Sequence, residues 1–323
     1  VLETSYQALI ELPGYLLDAN KRIFWGYLLS GLVLAILVLK LSQRHRPWRE
    51  VIHLIFDKRI WWSSTARQDY ALFFANKVIK GVTFGPILLT MVPVALGVTD
   101  GLVWLFGPAE PWVVNQYLVI GLFTLALFVV DDFSRFLLHY MLHRIPVLWD
   151  FHKVHHSAHT LTPMTIYRSH PVESYLYACR MALSQGSVVG GAYYIFGTQL
   201  AMADIVGANL FVFLFNIFGS NLRHSHVWLS WGSRWESWFI SPAQHQIHHS
   251  RLPQHFDRNL GSALAIWDRM AGTLIYAKGV KLKGFGVGAG DPGHPNLWAI
   301  YLWPFKQAIL RMVIFRKRGF APR

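Results

Sequence analysis

Thirteen of the 16 histidines fall in two windows, seven from His139 to His170 and six from His224 to His255. Chance placement would put about three there. Their spacing is that of a helix face: His139 and His143 stand four apart, His152, His155 and His156 follow an i, i+3, i+4 pattern, and His245, His248 and His249 repeat it. Burying so many imidazoles is costly unless something binds them. Eight or more neutral ring nitrogens match the needs of two transition metals at about four or five ligands each. A structural zinc needs only four. Two adjacent irons can bind and reduce dioxygen, which a single redox-inert zinc cannot. The pattern therefore points to a non-haem diiron oxygenase, with redox work done by the metals and positioning by the protein. Zinc tolerates the same shell and can replace iron in purified material. Three other readings fit histidine clusters. A proton relay or pH sensor needs only a few titrating groups. A metal-transporting or metal-storing membrane protein would place its histidines along the spans, near the midplane. A metal-dependent lipid hydrolase would not need dioxygen.

The elements that must position these residues are greasy. The chain is 53% apolar and only 15% charged, where a soluble domain carries about 25% charged residues. That excludes disorder and indicates an integral membrane protein. A single cysteine, Cys179, excludes an internal disulfide framework and any cysteine-built zinc or iron–sulfur cage. Apolar runs close to the length of a bilayer crossing predict spans at about 23–41, 81–99, 111–130, 181–203 and 205–222. The last two, parted by Asp204, read as a tight helical hairpin whose first arm is loosened by Gly190, Gly191 and Gly197. Lys40 to Lys80 holds nine basic residues against three acidic ones, the connection around Asp100 and Glu110 holds no basic residue, and 14 of the 30 Lys and Arg lie beyond Leu222. Positive charge is retained on the cytoplasmic side. The expected fold is thus all-α: a polytopic transmembrane helical bundle forming a single integral membrane domain over 1–323. A histidine-rich cytoplasmic cap at 131–180 and 223–277 would hold the dimetal site, and 278–323 would form a basic C-terminal segment. The net charge of +13 fits this bias and attraction to anionic headgroups. No basic and aromatic recognition module is visible, so nucleic acid is not an expected partner.

From about Phe123 to Tyr276 the chain resembles the fatty acid hydroxylase and sterol desaturase superfamily of membrane-bound diiron enzymes. The likeness rests on three histidine boxes in the family order, with their flanks: His139-Tyr140-Met141-Leu142-His143, His152-Lys153-Val154-His155-His156 and His245-Gln246-Ile247-His248-His249. It is carried further by Asp257-Arg258-Asn259-Leu260-Gly261 and Trp267-Asp268-Arg269-Met270-Ala271-Gly272-Thr273. The resemblance implies that the eight box histidines are metal ligands and catalytic. His224 matches a further ligand position, and His226 replaces the asparagine usual there, either completing a shell or hydrogen-bonding nearby. His170 resembles another recurrent histidine, a ligand or a neighbour of one. Hydroxylation of a lipid C–H bond with dioxygen and two electrons is the implied reaction, on a fatty acyl, sterol or ether lipid, with desaturation the alternative. An external ferredoxin, or a b-type cytochrome with its reductase, would supply the electrons, docking on a basic surface that includes Lys278, Lys281 and Lys283.

Acids near the boxes are expected to accept the distal N–H groups of the ligands. Asp131, Asp132, Asp150 and Glu173 are the candidates, while Asp257 and Asp268 are expected to pair with Arg258 and Arg269. Asn259 and Gly261 read as turn residues. Phe123, Phe128, Phe133, Phe136, Phe211, Phe213 and Phe215 would supply dry, apolar channel walls. His45, His53 and His294 read as hydrogen-bonded core histidines, and His159 and His255 as lining a polar entrance.

Overall fold

The computed structural model describes residues 10, 13–84, 88–288, 290–291 and 293–318. Its main helices are α1 (Trp25–Ser42), α2 (Trp48–Ile55), α3 (Ser64–Thr83), α4 (Met91–Phe106), α5 (Gln116–Arg144), α6 (Pro146–His156), α7 (Pro171–Phe196), α8 (Leu210–Ile217), α9 (Pro242–His248) and α10 (Leu297–Arg318). Short helical turns and one antiparallel pair of strands, β1 (Asp204–Ile205) and β2 (Ala208–Asn209), connect them. The architecture is mostly helical.

Helices α1 and α5 are long and apolar enough to cross a membrane. Leu29, Val33, Leu37 and Leu41 form an exposed stripe at four-residue spacing on α1, while Tyr27, Gly31 and Ala35 turn inwards. Asn115 starts α5 by accepting the Tyr117 N–H. No break follows for 29 residues. The apolar run and the first histidine box therefore share one helix, and the expected cap boundary at 131 falls inside it.

The remaining predicted spans are cut differently. The run 81–99 is divided between the end of α3 and the start of α4, with 85–87 outside the described residues. Helix α7 begins at Pro171 and stops at Gly197, whose φ of +61° a helix cannot continue. The run 205–222 is not a spanning helix. Val206 and Gly207 turn a hairpin at positive φ, Asp204 accepts the Gly207 N–H and Asn209 that of Phe211, and Gly219 at φ +95° closes α8. Eight residues of helix reach about 12 Å, far short of a bilayer core of roughly 30 Å. Lack of charge made this segment look like a span, and its Asp and Asn turns prevent one.

Gly190 does not loosen α7. A Cβ there would run into the Ala95 carbonyl oxygen, and one at Gly186 would stand 2.7 Å from Val94 Cβ. These two glycines, four apart, let α4 lie against α7, where Thr99 Oγ1 donates to the Gly190 carbonyl at 3.1 Å. Gly191 has open space around it.

The histidine-bearing elements are fixed from behind. Leu72 of α3, Val154 of α6 and Ile300 of α10 form one buried cluster, and Ala243 and Ile247 of α9 pack on Ala277. Arg168, fully buried, pairs with buried Asp69 of α3 at 2.9 Å and donates to the Val154 carbonyl. Desolvating two charges demands such additional hydrogen bonds, and Thr165 supplies another to Asp69.

Candidate metal centre

Nine imidazoles converge in two groups. His139 and His143 from α5, His152 and His156 from α6, and His248 from α9 form a group of five. His155 from α6, His224 from the turn after α8, and His245 and His249 from α9 and its cap form a group of four. Within each group one nitrogen from every ring lies within 4.8 Å of all the others. Helix α6 feeds both groups because residues three and four apart diverge slightly around its face. The rings of His156, from the group of five, and His249, from the group of four, stand 4.6 Å apart, so the groups adjoin.

The outer nitrogens explain why the inner ones are free. His139 Nδ1 meets the Leu260 carbonyl at 2.7 Å, His152 Nδ1 meets Glu173 at 2.9 Å, His143 Nδ1 meets Asp257 at 3.2 Å and His248 Nδ1 meets the Arg258 carbonyl at 2.9 Å. In the other group His155 Nδ1 meets the Arg168 carbonyl at 3.2 Å. Carbonyls and carboxylates only accept, so these rings donate from Nδ1 and carry a lone pair on Nε2. His139 and His152 then present two Nε2 lone pairs to each other at 3.1 Å. The Nε2 atoms of His143 and His248 are buried with no hydrogen-bond partner. Facing lone pairs repel unless a cation lies between them. The donor set therefore fits metal ions: neutral imidazoles with fixed tautomers, whose outer nitrogens are held by acceptors. Burial first, and then the neighbouring histidines, hold the rings of His156, His245, His249 and His224 well below the usual histidine range. They are neutral and able to bind.

All eight box histidines and His224 enter these groups; His226 does not. It is exposed and borders a second, apolar cavity beside Leu28, Ile55 and Leu222. His170 also lies outside both groups. It caps α7, accepting the Val172 N–H on Nδ1, and donates from Nε2 to the Tyr301 carbonyl of α10, so both nitrogens are used by backbone. Of the expected acids only Glu173 touches a ring. Asp131 is paired with Arg135 and Arg180. Asp132 accepts from the backbone of Ala263 and Leu264 and from the Trp267 indole, and Asp150 pairs with Arg311 of α10. Asp257, expected to pair with Arg258, instead reaches His143. His45 and His53 are exposed rather than core, as is His159; His255 and His294 are buried.

Sequence reasoning missed the backbone acceptors. Residues 257–261 form a turn in which Asp257 and Asn259 adopt positive φ, +55° and +54°. Asn259 is locked by its side chain, which donates to the Gln244 carbonyl and accepts the Ile275 N–H, while Asp268 accepts the N–H groups of Leu260 and Gly261. This one turn places the Asp257 carboxylate on His143, the Arg258 carbonyl on His248 and the Leu260 carbonyl on His139. The signal available was the Asp257-Arg258-Asn259-Leu260-Gly261 string, in which Asp and Asn tolerate left-handed backbone.

A cavity of about 430 Å³ opens against His139 and His152 of one group and His155, His224 and His245 of the other. Phe128 and Phe215 line it, as expected, but Phe213 packs on Phe24 and Tyr27 and Phe133 against Trp267. Much of the remaining wall is polar: Arg22, Lys80, Arg135, Asn216 and Arg223 face the same space. The dry hydrocarbon channel expected from the aromatic residues is not what stands before the histidines.

The protein is a mainly helical scaffold carrying two adjoining all-histidine groups, each of which could hold a metal ion, at the end of an apolar helix. Residues 124–273, a little under half of the chain, match the family model for fatty acid hydroxylase. The chain is similar to the ornithine lipid hydroxylase of Rhizobium tropici, 27% identical over 51% of this chain and 44% of that one. It is also similar to the alkylglycerol monooxygenase of Danio rerio, 28% identical over 54% of this chain and 36% of that one. A third relative is the Delta(7)-sterol 5(6)-desaturase of Eremothecium gossypii, 26% identical over 50% and 39% of the two chains. The chain thus spans less than half the length of these relatives. No solved structure matches it significantly.

Proposed function

We propose that the protein is a membrane-bound non-haem diiron oxygenase that hydroxylates a C–H bond of a lipid, using dioxygen and two externally supplied electrons. The observation that carries this reading is the set of imidazole nitrogens converging in groups of five and four. Iron in both positions would supply reductive activation of dioxygen. The rest is the work of the chain. The five-histidine group is held by Glu173, Asp257 and the 257–261 turn, and His155 by the Arg168 carbonyl, so the rings need no reorganisation. The cavity bordered by both groups brings a substrate carbon beside them, and burial of the rings excludes bulk water. Multi-pass insertion with the histidine cap on the cytoplasmic face is part of the proposal, supported by two apolar helices and by the charge bias of the connections. Lys278, Lys281 and Lys283 are exposed on one stretch of chain and offer a steering surface for a ferredoxin or a b-type cytochrome.

The desaturase among the relatives supports a second outcome at the same site, removal of two hydrogens. One experiment separates the two. Lipids from cells expressing the chain or its His248→Ala variant under isotopically labelled dioxygen are compared by mass spectrometry. A lipid that gains one labelled oxygen only with the intact protein is the expected result. A lipid losing two hydrogens without label would assign desaturation, and identical profiles with reductant and donor supplied would overturn the oxygenase reading.

A further inference from the structure

The cavity in front of the histidines carries more positive charge than its acids neutralise. Four cationic side chains line it, Arg22, Lys80, Arg135 and Arg223, together with Asp131, Asp132 and Glu173. The three acids are already committed, Asp131 to Arg135 and Arg180, Asp132 to two backbone N–H groups and an indole, Glu173 to His152. Arg22 hydrogen-bonds only neutral oxygens, those of Asn216 and Ser220. Arg223, only 5% exposed, donates to the Ile240 and Ser262 carbonyls, and its buried Nε–H has no partner. Neither guanidinium pairs with a carboxylate among the described residues. Two guanidinium groups lining one cavity without a carboxylate partner, one of them buried with an unused donor, make a site that lacks its anion.

We propose that Arg22 and Arg223 bind the anionic headgroup of the substrate lipid, a phosphate or a carboxylate, so that the carbon presented to the histidine groups lies near the headgroup rather than far along the chain. This rests on the oxygenase reading for the word substrate, but not for the binding site. The cavity volume of about 430 Å³ suits a headgroup and a few carbons, and its charge would repel an ammonium.

Metal-loaded full chain in neutral detergent, without reductant, is titrated with 1-oleoyl lysophosphatidate, oleate and monooleoylglycerol, with tryptophan fluorescence and calorimetry as readouts. Both anions should bind about 10- to 100-fold more tightly than the neutral glyceride, the gain of a charge-assisted bond or two. The tighter of the two anions names the headgroup. Arg22→Gln should erase the preference and Arg22→Lys should keep most of it, with bound metal unchanged in both. Equal binding of anionic and neutral lipids by the unaltered protein would overturn the proposal without any variant having to fold, as would an Arg22→Gln protein that keeps the preference. Anion preference with no oxidised product under dioxygen and reductant would leave this site standing and sink the oxygenase reading; oxidation of neutral lipid without preference would do the reverse.

Discussion

Four of the five rings in the group around His152 are held from behind, two by carboxylates and two by carbonyls. In the group around His224 only His155 is held so among the described residues, and His245 Nδ1 is buried without a partner. Yet that looser group contributes three of the five rings bordering the cavity. The contrast separates two jobs. A carboxylate behind an imidazole raises its basicity and offsets the charge of a bound ion. On the proposed reading the first group is the better suited to retaining a metal, and the second, with more of its rings on the cavity, to leaving a place open towards a substrate.

The division can be broken most directly at the ligands. His152→Ala and His245→Ala should each abolish turnover and lower bound metal, by elemental analysis, from two ions to about one, from different groups; loss of both ions in both variants would mean a single joint site. Glu173→Gln should weaken metal retention in the five-histidine group by about 10- to 100-fold while sparing the other. Asp257→Asn should fall at the lower end, because that carboxylate is 38% exposed where Glu173 is 5%, and chelator competition would read both. Gly190→Leu forces α4 away from the helix that carries Glu173. It should cost about 1–3 kcal/mol of stability and loosen the first group more than the second, seen by thermal unfolding in detergent with metal release followed in parallel. Asp150→Asn, between the two boxes on α6, removes only the bond to half-exposed Arg311. A change of at most about 1 kcal/mol and full metal occupancy are expected, and measurable metal loss would show that Asp150 supports a ring after all.

The convergence of the box histidines was legible in the sequence because imidazoles at i, i+3 and i+4 have few other reasons to cluster, and the boxes landed on helices as that spacing requires. His224 was legible only by resemblance, since it sits in a short turn where no periodicity operates. His226 and His170 stand outside the two groups for local reasons: one borders a different cavity, and the other spends both nitrogens on backbone. Span boundaries were read from the absence of charge, which cannot see that Asp204, Asn209 and Gly219 fold an uncharged stretch into a hairpin and a two-turn helix. Acids were assigned to rings by nearness in sequence. Asp131, Asp132 and Asp150 lie near the boxes but face other partners, while Leu260 and Arg258 act through carbonyl oxygens that no side-chain alphabet records.

That last point bears on how the site responds to mutation. A side chain that fits the space of Leu260, or almost any at Arg258, leaves the same backbone oxygen in place, so such substitutions are buffered as far as the rings of His139 and His248 are concerned. Deleting a single residue between Asp257 and Gly261 would displace three ring acceptors at once. The turn makes the centre tolerant of spelling and intolerant of length, so insertions and deletions, more than substitutions, should be the changes this segment cannot survive.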